Sequence, residues 1–256
     1  MTVDAISGYN DRVSAYARYR WEYAPEAVDA FASRIGLSND SVVADIGSGT
    51  GMLARHLVDR VRILHAVEPN AEMRRVAAQL LGAHPSFREV AASSDRTTLA
   101  DASVDLITVG RALHWFPAET TKAEFHRILR PGGWLAIFST PCTDEGLLES
   151  LRALECDECG WDPAGARYTP RNVPAGYFFG HDDVQKVRHP AIVRETFEMV
   201  LGRFTSRLAV PRPGHPLRGA FERALRDVFD RYASAGILSV PIATEVVFGQ
   251  PRAAET

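Results

Sequence analysis

Cysteine, long apolar runs and surplus positive charge are what this 256-residue sequence has least of. Its three cysteines cannot form a disulfide framework, and the closest pair, Cys156 and Cys159, lacks the second Cys-x-x-Cys or paired histidines of a tetrahedral zinc site. These two are read as helix-spaced thiols. His56, His65, His84, His126, His181, His189 and His215 are scattered without ligand spacing, so no metal is expected. No stretch approaches the ~20 apolar residues of a membrane span. The segment MTVDAISGYNDRVSAYARYRWEY has no apolar run fit for a signal peptide, which makes a cytoplasmic location, away from membranes, the expectation. A formal net charge of -3 leaves no electrostatic footprint for a nucleic-acid partner. Arg203, Arg207, Arg212 and Arg218 make one basic stretch, but Glu222, Asp227 and Asp230 follow it, and a solvated helix face is expected there. What remains is a chain of 46% hydrophobic content, ample for one sizeable core.

Short β-branched runs alternate with helical patterns. SVVADIG, VRILHAVEP, SFREVAAS, VDLITVG and GWLAIFST read as five strands, and the intervening helices imply a parallel sheet covered on both faces, a doubly wound α/β arrangement. After Thr140 the pattern changes to one amphipathic helix, EGLLESLRALECDEC, and then the Pro/Gly/Tyr-rich GWDPAGARYTPRNVPAGYFFG, which has no clear period and reads as a cover over the sheet. A strand in DVQKVRHPAIV, a long helix from about Pro216 to Ala233 and a final strand TEVVFG complete the chain. No internal repeat is visible.

The first strand, Val42-Val43-Ala44, runs into Asp45 and then Gly47, Ser48, Gly49 and Gly51. Glycines allow a tight turn and let a ligand touch main chain, while Asp45 puts a charge at the strand end, where such sheets bind their ligands. A dinucleotide fingerprint wants glycine at the sixth position of GxGxxG, and Met52 stands there. The spacing suits a ligand with an ammonium group better than one with a pyrophosphate. Glu68 follows Asp45 by 23 residues and ends the next strand, where a carboxylate can accept both ribose hydroxyls. Ribose recognition is common to a nicotinamide dinucleotide and to the alternative, so the turn and the acid leave both readings open.

VVADIGSGTG, AVEPN, DASVDLITVGRALHWF and FHRILRPGGWLAIF together resemble the successive motifs of the class I S-adenosylmethionine-dependent methyltransferases, in the small-molecule branch called methyltransferase type 11. YARYRWEYAPEAV is similar to that family's N-terminal Tyr/Arg/Tyr-Pro segment, and GRFTSRLAVPRPGHP with TEVVFG to the tail of a trans-aconitate methyltransferase-like subgroup. The resemblance covers nearly the whole chain. It implies a single domain, 1–256, with a Rossmann-like, seven-stranded, mostly parallel sheet and an antiparallel C-terminal strand. Lid elements at 1–25 and 141–182 are expected over the site. The implied cofactor is S-adenosyl-L-methionine, leaving as S-adenosyl-L-homocysteine.

Carried over position by position, the resemblance assigns Asp45, Gly47, Ser48, Gly49 and Gly51 to the methionine end of the cofactor. Glu68 goes to the ribose hydroxyls, Met73, Ser93 and Ser94 to the adenine, and Tyr16, Pro69 and Gly110 to the cofactor site as a whole. Many relatives have an acid where Ser93 stands, so charge assistance to the adenine amine is lost here. The acceptor side is assigned to Arg111, His114, Trp115, Tyr19 and Tyr177, with His114 as the acid–base residue. Phe116, Tyr168, Phe178 and Phe179 are expected to add apolar wall. Methyltransferases of amide or base amino groups carry an Asn/Asp-Pro-Pro-aromatic motif after the fourth strand; GRALHW stands there instead. Pro141-Cys142 follows the fifth strand, so Cys142 reads as a small connector residue rather than a nucleophile. Methyl transfer to an oxygen or carbon of a small-molecule acceptor of secondary metabolism is expected, by a monomer or homodimer. A binding-only relative and an NAD-type oxidoreductase are the alternatives, the latter disfavoured by Met52 and LRPGG.

Overall fold

The computed structural model describes residues 10–156, 173, 175–208, 210, 211 and 213–252. Cys159, Tyr168, Arg212 and most of the expected cover lie outside the described residues, as does the N-terminal end of the first lid element.

Strands β1 (Val42–Ile46), β2 (Ile63–Val67), β3 (Phe87–Val90), β4 (Val104–Gly110), β5 (Leu129–Ser139), β6 (Gln185–Glu195) and β7 (Leu238–Gly249) form one sheet. Its order is β3-β2-β1-β4-β5-β7-β6. The first five strands pair in parallel, and β7 runs antiparallel to both β5 and β6, as expected for the final strand. All five residues of β1 are buried, because helices cover both faces of the sheet there. On one face Ala27, Val28 and Phe31 of the helix Pro25–Ile35 pack on Val43, Leu106, Phe138 and Phe248. On the other, Phe125 and Ile128 of the helix Ala118–Ile128 meet Ala44, Ile107 and Val109, with Phe178 and Phe179 in the same cluster.

Two strand starts differ from expectation. β5 begins at Leu129, four residues before Gly133, because a register irregularity between Val104 and Leu106 lets LRPGG join the ladder. β7 begins at Leu238, six residues before Thr244. β5 itself reaches β7 no further than the Ser139–Glu245 pair, and beyond it the connector after β5 runs along this half of β7, the Thr143 N–H donating to the Pro241 carbonyl and the Ala243 N–H to the Pro141 carbonyl. The half from Leu238 to Thr244 therefore projects past β5 and gives Leu238, Val240 and Ile242 to a third cluster. There they meet Leu147 and Leu151 of the helix Glu145–Cys156, Val200 and Phe204 of Phe197–Thr205, and Phe221 and Leu225 of Arg218–Tyr232.

The basic stretch is not a solvated face. Arg203 is 2% exposed and forms a two-pronged pair with Glu195, itself 1% exposed, at 2.9 and 2.8 Å. The Trp21 indole N–H donates to the same carboxylate at 3.0 Å, and the Arg203 guanidinium lies 4.3 Å from the Trp21 ring centre. Local sequence charge failed here because Glu195 is supplied by the end of β6, a separate element. Arg12, also buried, donates to the carbonyls of Thr205, Arg207 and Val210. Tyr19 lays its ring on Gly202 and donates its hydroxyl to Glu198. The N-terminal helix Val13–Tyr19 is thereby fastened to Phe197–Thr205.

Breaking a buried ion pair from one side strands the other charge. Glu195→Ala is expected to lower unfolding free energy by about 3–5 kcal/mol. The double replacement Glu195→Met with Arg203→Met should lie nearer the wild type than Glu195→Ala does. Chemical denaturation of the three variants checks both statements.

Candidate functional site

The site grows from where β1 and β4 end side by side, while the chain has left the sheet in opposite directions to build β2 and β5. Asp45 sits in β1, 1% exposed, with Thr108 of β4 as its register partner. The Thr108 hydroxyl donates to Asp45 Oδ1 at 2.8 Å, and Oδ2 is buried with no hydrogen-bond partner among the described residues. Burial, with a contribution from the Glu68 charge and against the Thr108 bond, pushes the Asp45 carboxyl up to about 7.

Past Asp45 the chain turns sharply. The N–H groups of Gly47 and Ser48 both donate to the Val67 carbonyl, at 2.9 and 3.1 Å. Gly47 has φ +69°, and a Cβ there would lie 2.6 Å from the Ala112 Cβ, so the turn and its close approach to the β4 loop both require glycine. Gly49, with φ +56°, has nothing within 4 Å of where a Cβ would be: its backbone is bare toward open space. The hydroxyls of Ser48 and Thr50 are, like Asp45 Oδ2, buried without partners. Such orphaned groups are rare in folded proteins and point to something polar that belongs there.

Glu68 follows β2 and is 8% exposed. Its Oε2 accepts from the Gly49 N–H at 3.0 Å and its Oε1 from the Asn70 N–H at 2.9 Å. Burial raises its pKa, opposed by those two bonds and by Arg74. Each oxygen keeps a lone pair for a further donor. Arg74 donates to the Glu68 and Pro69 carbonyls, both at 2.9 Å. Asn70 caps the helix Ala71–Leu81 by accepting from Met73 at 3.0 Å and donates to Asn10 at 3.0 Å, which brings the N-terminal segment to this edge. Met73 is buried at the start of that helix.

A small cavity of about 10 Å³, space for one water-sized sphere, lies among Tyr16, Tyr23, Asp45, Gly47, Ser48, Met52, Leu53, Gly110 and Arg111. Tyr16, Asp45, Gly47, Ser48, Gly110 and Arg111 of the expected residues thus converge. Tyr23, Met52 and Leu53 complete the lining, and Thr108 acts on it through its bond to Asp45. For Thr108 the available signal was a hydroxyl in the otherwise apolar strand VDLITVG.

Other assignments fall elsewhere. Tyr19 faces Gly202 and Glu198, and Tyr177 stands 36% exposed with the Lys122 ammonium 4.8 Å from its ring centre, so neither lines this cavity. Phe178 and Phe179 are fully buried core residues, and Phe116 is buried beneath Gly47. The Ser94 hydroxyl pairs with Thr121 at 2.9 Å, whereas Ser93 forms a bridge with Arg96. His114 and Trp115 occupy a single turn, Leu113–Trp115, after β4, half-buried and with ring centres 4.7 Å apart. Cys142 is buried, and burial raises its pKa, which leaves it a protonated connector residue.

A family profile described as a methyltransferase domain matches residues 44–137, from β1 through β5. An uncharacterized methyltransferase of Mycobacterium tuberculosis is 36% identical over 138 residues, 52% of either chain. The chain spans about half the length of the curated relatives it matches. Among solved structures, a proposed type II methyltransferase of Anaeromyxobacter dehalogenans superposes with a TM-score of 0.61 at 22% identity, covering 91% of this chain and all of that one. A methyltransferase of Thiobacillus denitrificans, solved with S-adenosyl-L-homocysteine, gives 0.52 at 17% identity over 94% of this chain and 97% of that one. These likenesses establish the Rossmann-like methyltransferase fold.

The residues present fit S-adenosyl-L-methionine: an orphaned carboxylate for an ammonium, a bare glycine turn, and an acid one strand away for a ribose. The sign of the Asp45 shift makes the fit testable. Its ordinary value is 3.8, so the ligand-free fold loses stability as pH rises from about 4 to about 7, where the buried carboxyl must ionise. Asp45→Asn should be free of that loss, and the stability difference between it and the wild type should grow in its favour across that window. Urea unfolding at a series of pH values measures the difference.

Proposed function

We propose, on the premise that residues 44–137 are a methyltransferase domain of this family, that the chain transfers a methyl group from S-adenosyl-L-methionine to an oxygen or carbon of a small molecule. The observation that carries the reading is the partnerless Asp45 Oδ2 at the end of β1, beside the bare Gly49 turn that Glu68 holds in place. A pyrophosphate would be repelled by that carboxylate, whereas an ammonium satisfies it and returns its pKa toward the ordinary range. Asp45, the glycine turn, Tyr16 and Gly110 hold the methionine end, Glu68 and Pro69 the ribose, and Met73 with Ser93 and Ser94 the adenine.

When bound, the cofactor supplies a methyl group already activated by its positive sulfur. The protein then has to align the acceptor and exclude water, and effective molarities allow roughly 7–11 kcal/mol from alignment alone. His114 and Trp115, on the turn that follows β4, are placed at the acceptor side, with His114 taking the proton released as an enol, phenol or carboxylic acid becomes the nucleophile. GRALHW in place of the amide- and base-methylating motif supports oxygen or carbon over nitrogen as the acceptor atom. An acidic or enolic acceptor from secondary metabolism matches these residues.

Calorimetry should give micromolar-range binding of S-adenosyl-L-methionine and S-adenosyl-L-homocysteine, and NADH should not raise the melting temperature. Glu68→Gln is expected to weaken both adenosyl ligands by about 1.5–3 kcal/mol, through loss of a charged acceptor. Unchanged affinity would remove Glu68 from the ribose. His114→Ala should lower kcat about 10²- to 10⁴-fold with cofactor affinity intact. A fully active variant would leave His114 as scaffold.

A further inference from the structure

Arg111 breaks two rules of folded chains at once. It is a non-glycine residue with φ +55°, directly after β4, and a left-handed backbone at such a position is kept only where its surroundings impose it. The bend turns its side chain inward to the cavity wall beside Asp45, Ser48 and Tyr23. There the guanidinium has no carboxylate partner among the described residues. One terminal nitrogen donates to the Trp21 carbonyl at 2.8 Å and to the Thr140 hydroxyl at 3.3 Å; the other reaches the Met52 sulfur at 3.3 Å. Its Nε is buried with no acceptor, and its plane lies 4.8 Å from the Tyr23 ring centre. A partly desolvated cation without a carboxylate partner is costly, and a buried carboxylate with a free oxygen more so. This cavity has a half-buried guanidinium with a buried Nε and a fully buried carboxylate.

We infer that Arg111 and Asp45 form a two-pronged receptor for a zwitterionic amino-acid head, Asp45 taking the ammonium and Arg111 the α-carboxylate of the cofactor's methionine end. The inference rests on the proposed methyl-transfer reading and moves Arg111 from the acceptor side, where the sequence placed it, to the donor side. Arginine suits the task, since its planar fork matches a carboxylate with two parallel N–H donors. The present cavity is too small for the head group, so Arg111 must exchange its bonds to Trp21 and Met52 for the carboxylate as the Tyr16–Tyr23 segment gives way. Binding of the donor and the position of the N-terminal cap are thereby linked through one side chain. Arg20, stacked 4.8 Å from the Tyr16 ring centre, is the other guanidinium on this side and the natural control.

The test compares two ligands on three proteins by calorimetry: S-adenosyl-L-homocysteine and its decarboxylated analogue, which keeps the amine, on the wild type, Arg111→Gln and Arg20→Gln. The wild type should prefer the carboxylate-bearing ligand roughly 10- to 100-fold. Arg111→Gln should lose that preference by weakening S-adenosyl-L-homocysteine alone, while Arg20→Gln keeps it. Arg111→Lys, assayed in parallel, should retain part of it and guards against a misfolded glutamine variant, as does thermal melting of each protein. A preference that persists in Arg111→Gln, or that disappears in Arg20→Gln instead, overturns the inference. Failure of the wild type to bind either adenosyl ligand would instead overturn the methyl-transfer reading.

Discussion

A carboxylate held inside a parallel sheet by a single hydroxyl is the constraint around which this molecule is arranged. Asp45 cannot be solvated, because every residue of β1 is buried, and Thr108 satisfies only one of its oxygens. The glycine turn above it, the buried hydroxyls of Ser48 and Thr50, and the inward Arg111 are polar groups left without full satisfaction in the same few ångströms of fold end. Other buried carboxylates are fully engaged by the fold. Glu124, for example, accepts from the Thr97 N–H, the Thr97 hydroxyl and Arg127, and those bonds hold its pKa down to about 2. The contrast separates a carboxylate whose bonds the fold supplies from one whose second oxygen the fold leaves open, which is why Asp45 carries the proposed reading.

The sheet and the ligand turn were legible because both are written locally. β-branched runs announce strands, and a tight strand-to-helix turn needs glycine wherever its φ is positive, as at Gly47. The position of Glu68, just past the second strand and bonded to the turn, was legible for a related reason. Features that depend on partners distant in sequence were not. Arg203 reads as one of several exposed arginines until Glu195 and Trp21 are brought to it by the packing of β6 and the N-terminal segment. Tyr19 and Tyr177 show the same limit: an aromatic residue in a lid-like segment carries no local mark of which face it will use, and both turned away from the cavity. Arg111 reads from the sequence as a rim residue after the fourth strand, but its left-handed backbone, at a non-glycine position, carries no local mark.

The N-terminal segment joins the two halves of the molecule. Trp21 hands its indole N–H to Glu195 and its carbonyl to Arg111, while Tyr23 stacks on Arg111 and on Phe138 of β5. Two residues, Trp21 and Tyr23, thus tie the cavity beside Asp45 to the sheet and, through Arg203, to the helix Phe197–Thr205. The burial that raises the Tyr23 phenol to about 12 keeps it neutral, so its contribution there is a ring face and a hydrogen bond rather than a charge.

The position of β7 also sets an order of events in folding. The strand lies between β5 and β6, so β6 has no sheet neighbour other than one that is synthesised more than forty residues later. Until β7 inserts, β5 presents an open edge, and β6 is a charged, proline-containing ribbon with nothing to pair with. Lys186, Arg188, Pro190 and Arg194 are poor material for pairing between chains, which protects the waiting strand during that interval. Strand insertion closes the sheet and, through Leu238, Val240 and Ile242, assembles the third hydrophobic cluster in the same step. The non-local closure places the slow part of folding late in the chain, after the parallel strands β1 to β4 have paired among themselves.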